Sequence, residues 1–251
     1  MSVTTVSGLL PVLVAVAVLC LIMVVVMRLA NLPAGWAPVI AVLRCVLQLA
    51  AISLVLGGII TNPWLVGVAL VVMFVVASAT SARRLGFTWL RYWQIAGAMM
   101  AGVAVTFSVI FLTGALPPEP RYFLAAGGII IGNSMSIATL SGRRFFTDLH
   151  DGWAEVEGWL ALGAPARAAT LTTRRRAAYE ALVPSIDQTK TTGLVTLPGA
   201  FVGSIFGGAS PLDAGKFQVL VLTGILAAGA ITGVLLLRAL APVTVKPLSP
   251  K

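Results

Sequence analysis

Gly8-Leu-Leu-Pro-Val-Leu-Val-Ala-Val-Ala-Val-Leu-Cys-Leu-Ile-Met-Val-Val-Val-Met27 carries no charge, amide or hydroxyl side chain. A bilayer crossing needs about 20 mainly apolar residues in helical form, so this run is long enough to span. No Lys or Arg occurs in residues 1–7. The run therefore lacks the basic leader of a cleaved signal and is expected to persist as a spanning helix.

Six further apolar runs of roughly that length follow: Trp36 to Ile60, Trp64 to Thr80, Tyr92 to Leu112, Tyr122 to Leu140, Thr191 to Phe206 and Phe217 to Leu240. With 59% hydrophobic and 10% charged residues in 251, the chain lies far from soluble domains, about 25% of whose residues are charged. The fold expected is an all-α polytopic integral membrane protein with about seven transmembrane helices, a single permease domain over residues 1–251. Cys20 and Cys45 lie inside apolar runs, which argues against a disulfide framework.

The net charge of +9 reflects its distribution between loops and does not signal nucleic-acid binding. With the N-terminus outside, fourteen basic residues fall inside: Arg28, Arg83, Arg84, Arg91, Arg143, Arg144, Arg167, Arg174, Arg175, Arg176, Lys190, Arg238, Lys246 and Lys251. Only Arg121 and Lys216 fall outside, and Arg44 lies within a run. Basic residues near helix ends are retained on the cytoplasmic side, so the N-out, C-in arrangement is expected. The tail Ala241 to Lys251, with three prolines, reads as extended. Glycines at Gly97 to Gly102 and Gly203 to Gly208 let helices approach closely.

Ser141 to Gln188 is the one long polar segment, read as a cytoplasmic helical hairpin. Leu149, Trp153, Val156 and Leu160 recur at spacings of 4, 3 and 4, the stripe of an amphipathic helix. Gly163 suits the left-handed residue that ends it, and Pro165 suits the first turn of the next helix. Folding back there brings residues 151–155 level with 173–177, where acidic and arginine side chains can pair. The run Arg174-Arg175-Arg176 also suits anionic headgroups, at about 1 kcal/mol per basic residue.

No Asp, Glu or His lies deep in an apolar run, although ion-driven carriers usually place one there. A pump of this composition would draw its energy from a partner that engages the protruding corner.

Glu157-Gly-Trp-Leu-Ala-Leu-Gly163-Ala, followed by Leu182-Val-Pro184, resembles the loop by which ABC permeases dock on their ATPase subunits. Gly158 and Trp159 replace the usual alanines. Ile131-Gly-Asn-Ser-Met135, Val183-Pro-Ser-Ile-Asp187-Gln-Thr-Lys190-Thr-Thr-Gly193-Leu-Val-Thr-Leu-Pro198-Gly199 and Ile205-Phe-Gly-Gly-Ala-Ser-Pro211 look like the FetB-type permeases. Those are iron-export ABC membrane subunits whose plant relatives are linked to aluminium tolerance. The resemblance implies a homodimeric permease in the plasma (inner) membrane, paired with a separate cytoplasmic ATPase that binds ATP and Mg. It implies coupling contacts at Glu157, Leu160, Leu162, Gly163, Ala164 and Pro165 within the 141–188 loop. The cargo stays open among iron, another metal and a small organic solute, and no metal-binding residue is assigned.

The chain itself is expected to hold no cofactor. The nearest approach to a phosphate-cradling G-x-x-x-x-G-K-[ST] loop, Gly208 to Phe217, lacks the required glycine and hydroxyl. An enzyme is disfavoured because no paired carboxylates, ligand cluster or Ser/His dyad occurs. An ion-coupled carrier or channel remains the alternative.

Candidate pathway residues are the polar ones in or beside the runs. Arg44 and Gln48 lie one turn apart and fit either pathway lining or interhelical hydrogen bonding. Asn133, Ser134 and Met135 fall near the middle of the fifth run and offer amide, hydroxyl and thioether groups to a cargo or to neighbouring helices. Met99 and Met100, with Met135, could offer soft sulfur or fill core gaps. Asp187 and Lys190 are close enough to pair where the sixth run begins. Pro198 and Gly199 are expected to kink or break that run, as a hinge or as static packing.

Overall fold

A computed structural model of the chain describes residues 6–33 and 35–247. Among the described residues it holds ten helices and no strand: α1 (Val6–Leu29), α2 (Ala37–Thr61), α3 (Pro63–Arg84), α4 (Trp89–Leu112), α5 (Pro120–Asp151), α6 (Trp153–Ala161), α7 (Ala166–Ala169), α8 (Leu171–Thr191), α9 (Gly199–Phe206) and α10 (Pro211–Leu240). Six of them, α1 to α5 and α10, are long and apolar enough to cross a membrane. The chain is an all-α polytopic membrane protein.

The helices fall into two compact units divided after Gly58. The first contains α1 and most of α2. Helix α1 is apolar from Gly8 up to Arg28 in its last turn, and α2 is apolar apart from Arg44, Gln48 and small hydroxyl residues. The second is a bundle of α3, α4, α5, α8 and α10.

Local signals fix the helix starts. Asn62 accepts from the Trp64 N–H at 3.0 Å with Pro63 in the first turn, and Thr88 accepts from the Arg91 N–H at 3.1 Å. Ser210 caps α10 through the Asp213 N–H at 3.1 Å, beside Pro211. Each cap satisfies a donor that the helix itself leaves unpaired.

Packing within the bundle depends on small residues and short polar ties. A Cβ on Gly102 would lie 2.4 Å from the Ala228 carbonyl oxygen, so α4 and α10 meet backbone to backbone. The Gln94 amide donates to the Ala239 carbonyl at 3.1 Å along the same seam. Between α3 and α5, the Ser81 hydroxyl donates to the Met135 carbonyl at 2.9 Å and lies 3.0 Å from the Thr139 hydroxyl. Apolar layers around Ile95, Met99, Phe145 and Leu236, and around Ile130, Ile137, Val221 and Ile225, fill the spaces between.

Three expectations change. The fifth run does not end at Leu140: α5 continues to Asp151, because its buried stripe continues through Phe145 and Leu149 past the solvated Arg143 and Arg144. Thr191 to Phe206 is not one spanning helix. Helix α8 ends at Thr191, a turn through Gly193 follows, and α9 begins after Pro198. Eight residues rise only about 12 Å, too short to cross the roughly 30 Å core alone. Pro165 does not occupy a first helical turn but precedes the four-residue α7, with extended backbone.

Candidate functional site

The elbow is built by a helix that cannot continue and a bundle that holds its base. Gly152 interrupts the path between α5 and α6, and α6 ends at Ala161 with Leu162 as its cap. Gly163 then takes φ +85°, with its N–H on the Leu160 carbonyl at 3.0 Å, while the Ala164 N–H reaches the Trp159 carbonyl at 3.0 Å. Glycine enters this conformation without the side-chain clash that costs other residues about 1–2 kcal/mol.

Below the corner, Val156 is buried, and Trp153 and Leu160 pack on the core that contains Leu149. On the other arm the buried Thr170 hydroxyl donates to the Ala241 carbonyl at 3.3 Å, past the end of α10. Both arms are therefore tied to the bundle, and the tip is not. Leu162 is 81% exposed and Trp159 is 52% exposed. Glu157, Gly163 and Pro165 are exposed as well, Leu160 and Ala164 partly so.

The charge pairing lies elsewhere than residues 151–155 against 173–177. Arg144 on α5 reaches Asp148 at 3.2 Å and Glu180 at 2.5 Å, and Glu180 also takes Arg176 at 2.8 Å. The reason is the unbroken α5, which carries its own charges against α8 before the elbow begins. Asp151, Glu155 and Glu157 form no ion pair among the described residues. The hydrogen bond from Arg176, reinforced by the charge of Arg144, holds the Glu180 carboxyl below its ordinary range despite partial desolvation. Residues 241–247 contain no helix, and His150 Nδ1 lies 2.9 Å from the Pro247 carbonyl.

The second candidate region follows from the register of α8. Its start lies beside Val234, Leu237 and Arg238, and Leu182 packs against Gly229, so α8 runs antiparallel to α10. Asp187, five residues beyond Leu182, lies about 7.5 Å farther along, level with the middle of the 30-residue α10. Asp187 and Lys190 pair at 3.3 Å with 59% and 69% of their side chains exposed, pointing away from the bundle that α8 packs on.

The other candidates are distributed as follows. On α5, Asn133 is half-buried and donates to the Ile129 carbonyl at 2.8 Å, with the exposed Ser136 on the same strip. The Ser134 hydroxyl is buried without a hydrogen-bond partner among the described residues. Met135 is tied into the α3 seam by its carbonyl and packs on the core, Met99 is wholly buried, and Met100 faces outward. The structure thus does not bring the three sulfurs together. Arg44 and Gln48 lie on α2, in the first unit. Pro198 caps α9 and Gly199 begins it. Among the described residues no group of three or more His, Cys, Asp or Glu could hold a metal ion.

Arg144 and Glu180 are paired across two helices, beyond the reach of any local spacing. The 4-residue spacing of Arg176 and Glu180 was the available signal, since it places them on one helix face.

Residues 10–243 match the family described as Uncharacterised protein family (UPF0014). Similar curated proteins include UPF0014 membrane protein STAR2 of Oryza sativa subsp. japonica, 35% identical over 198 residues that cover 78% of this chain and 69% of the relative. Protein ALUMINUM SENSITIVE 3 of Arabidopsis thaliana is 32% identical over 223 residues, 88% of this chain and 81% of the relative. Probable iron export permease protein FetB of Escherichia coli (strain K12) is 30% identical over 138 residues, 55% of this chain and 53% of the relative. No solved structure matches the chain.

Proposed function

Because this chain belongs to the UPF0014 family of membrane proteins, we propose that it is the permease subunit of an ABC transporter, driven by ATP hydrolysed on a separate subunit. The observation that carries the reading is the elbow. A large apolar side chain, Leu162, stands 81% exposed at the tip of a polar hairpin whose two arms are tied to the bundle. An apolar tip on a firm base is suited to seat in a partner's cleft and to pass that partner's motion to the helices.

In this proposal the elbow is cytoplasmic and the membrane is the plasma membrane. Helix α8 and the short α9, broken by Thr192 to Pro198, together complete a seventh crossing, with the break as the moving part. Two copies assemble so that the exposed Asp187–Lys190 face of α8 borders a polar path, since a charged pair at that depth needs water or polar company. The half-buried Asn133 borders that path at a similar height, while the buried Ser134 hydroxyl faces neighbouring helices. The relative named as an iron export permease supports export of a metal ion as the activity.

The test is capture of the partner ATPase. The intact chain should retain a soluble ATPase encoded beside it through purification, and Leu162→Asp should release it while the chain stays inserted. Equal retention by both proteins would refute the elbow as the docking point.

A further inference from the structure

The elbow's second arm and the end of α10 enclose a cleft of about 450 Å³ lined by Arg167, Arg174, Arg238 and Ala239. None of the three arginines has an acidic partner among the described residues. Arg174 donates from one terminal guanidinium nitrogen to the Arg167 carbonyl at 2.7 Å, while its buried Nε finds no hydrogen-bond partner among the described residues. Burial and the neighbouring charges of Arg238, Arg167 and Arg175 push the Arg174 guanidinium below its ordinary value. The α10 C-terminus accounts for Arg238, because a cation is favoured there. It does not account for two more cations converging on it with a donor left over.

A second, smaller hollow of about 240 Å³ shares Arg174 and Arg238, adds Arg175, and is otherwise apolar, lined by Leu171, Ala178, Val234 and Leu237. A cationic pocket that shares two arginines with a largely apolar trough on the face of a spanning helix matches one ligand shape: a charged phosphate with a hydrocarbon chain attached.

We propose that Arg167, Arg174 and Arg238 bind the phosphodiester headgroup of an anionic phospholipid, with an acyl chain lying along Leu171, Ala178 and Val234. A lipid bound there would join the elbow's second arm to α10 and make the arm's position sensitive to bilayer composition. The site stands whether or not the chain transports anything.

Native mass spectrometry of the intact detergent-purified chain, titrated with phosphatidylglycerol or phosphatidylcholine, tests this. One phosphatidylglycerol should bind preferentially, and Arg174→Gln with Arg238→Gln should weaken it by about tenfold or more, the loss expected for charge-assisted contacts. Arg121→Gln, at the other end of the bundle, should leave binding unchanged. Val234→Trp, which fills the trough and spares every arginine, should also weaken it, so the proposal is tested even where the double variant fails to fold. Undiminished binding by Val234→Trp, or by a folded double variant, would overturn the proposal. So would displacement of the lipid by inorganic phosphate, which would indicate a site for the free ion.

Discussion

Arg144 of α5 and Glu180 of α8 are joined at 2.5 Å where the bundle gives way to the elbow, 36 positions apart in sequence. With Asp148 and Arg176 they form a four-residue chain of charges that fixes α8 against α5 at the elbow's base. Glu180→Gln should raise hydrogen exchange in α8 around Arg176 to Glu180, whereas Glu180→Asp, which keeps the charge between Arg144 and Arg176, should retain more of the protection. Unchanged exchange in Glu180→Gln would show that packing alone holds the helices.

The same clamp has a pH signature. Its partners hold the folded Glu180 carboxyl below its unfolded value, so its contribution is complete above the ordinary carboxylate range. It fades as pH falls through the lower folded value. Protection of α8 should therefore be flat from neutral pH to the ordinary carboxylate range and decline below it, with the decline absent in Glu180→Gln.

Close approach of α4 and α10 predicts a contrast between two glycines on one helix. Gly102→Ala puts a methyl against the Ala228 carbonyl, a backbone atom that cannot swing aside, and should destabilise by about 1–3 kcal/mol. Gly97→Ala meets nothing within 4 Å and should be neutral or slightly stabilising. Thermal melting in detergent separates the two, and equal melting temperatures would contradict the packing described.

Exposed charges at mid-bundle predict water at mid-membrane. With Cys20 and Cys45 replaced, a cysteine at Asp187 should react with a membrane-impermeant thiol reagent, whereas one at the exposed apolar Val219 should not. Asp187→Asn should lower transport, and a silent Asp187 position in both assays would remove α8 from the path.

How much of this was legible in the sequence depended on the range of the signal. The apolar runs announced the spanning helices because composition alone decides solubility in lipid. Gly163 announced the elbow because one backbone torsion needs it. The extent of α5 and the role of α8 were hidden, since Arg143, Arg144 and Arg174 to Arg176 give those segments the composition of a loop. Their buried stripes, Phe145 and Leu149 on one helix and Ala177 and Ala181 on the other, emerge only when the helices pack. Long-range partners such as Arg144 with Glu180 depend on register, which no local spacing encodes.

Gly163→Trp should insert normally, because no atom lies within 4 Å of the added Cβ, yet lose transport because the backbone and the tip are both altered. Gly163→Asn, which tolerates the left-handed conformation, should retain most activity. Full transport by the tryptophan variant would contradict the coupling role.

Proteoliposomes that contain the chain, with and without the neighbouring soluble ATPase, test the source of energy most directly. A metal cargo should move only when both subunits and Mg-ATP are present, and stop when Leu162→Asp removes the tip. Uphill movement by the chain alone, without nucleotide, would contradict the coupling mechanism outright.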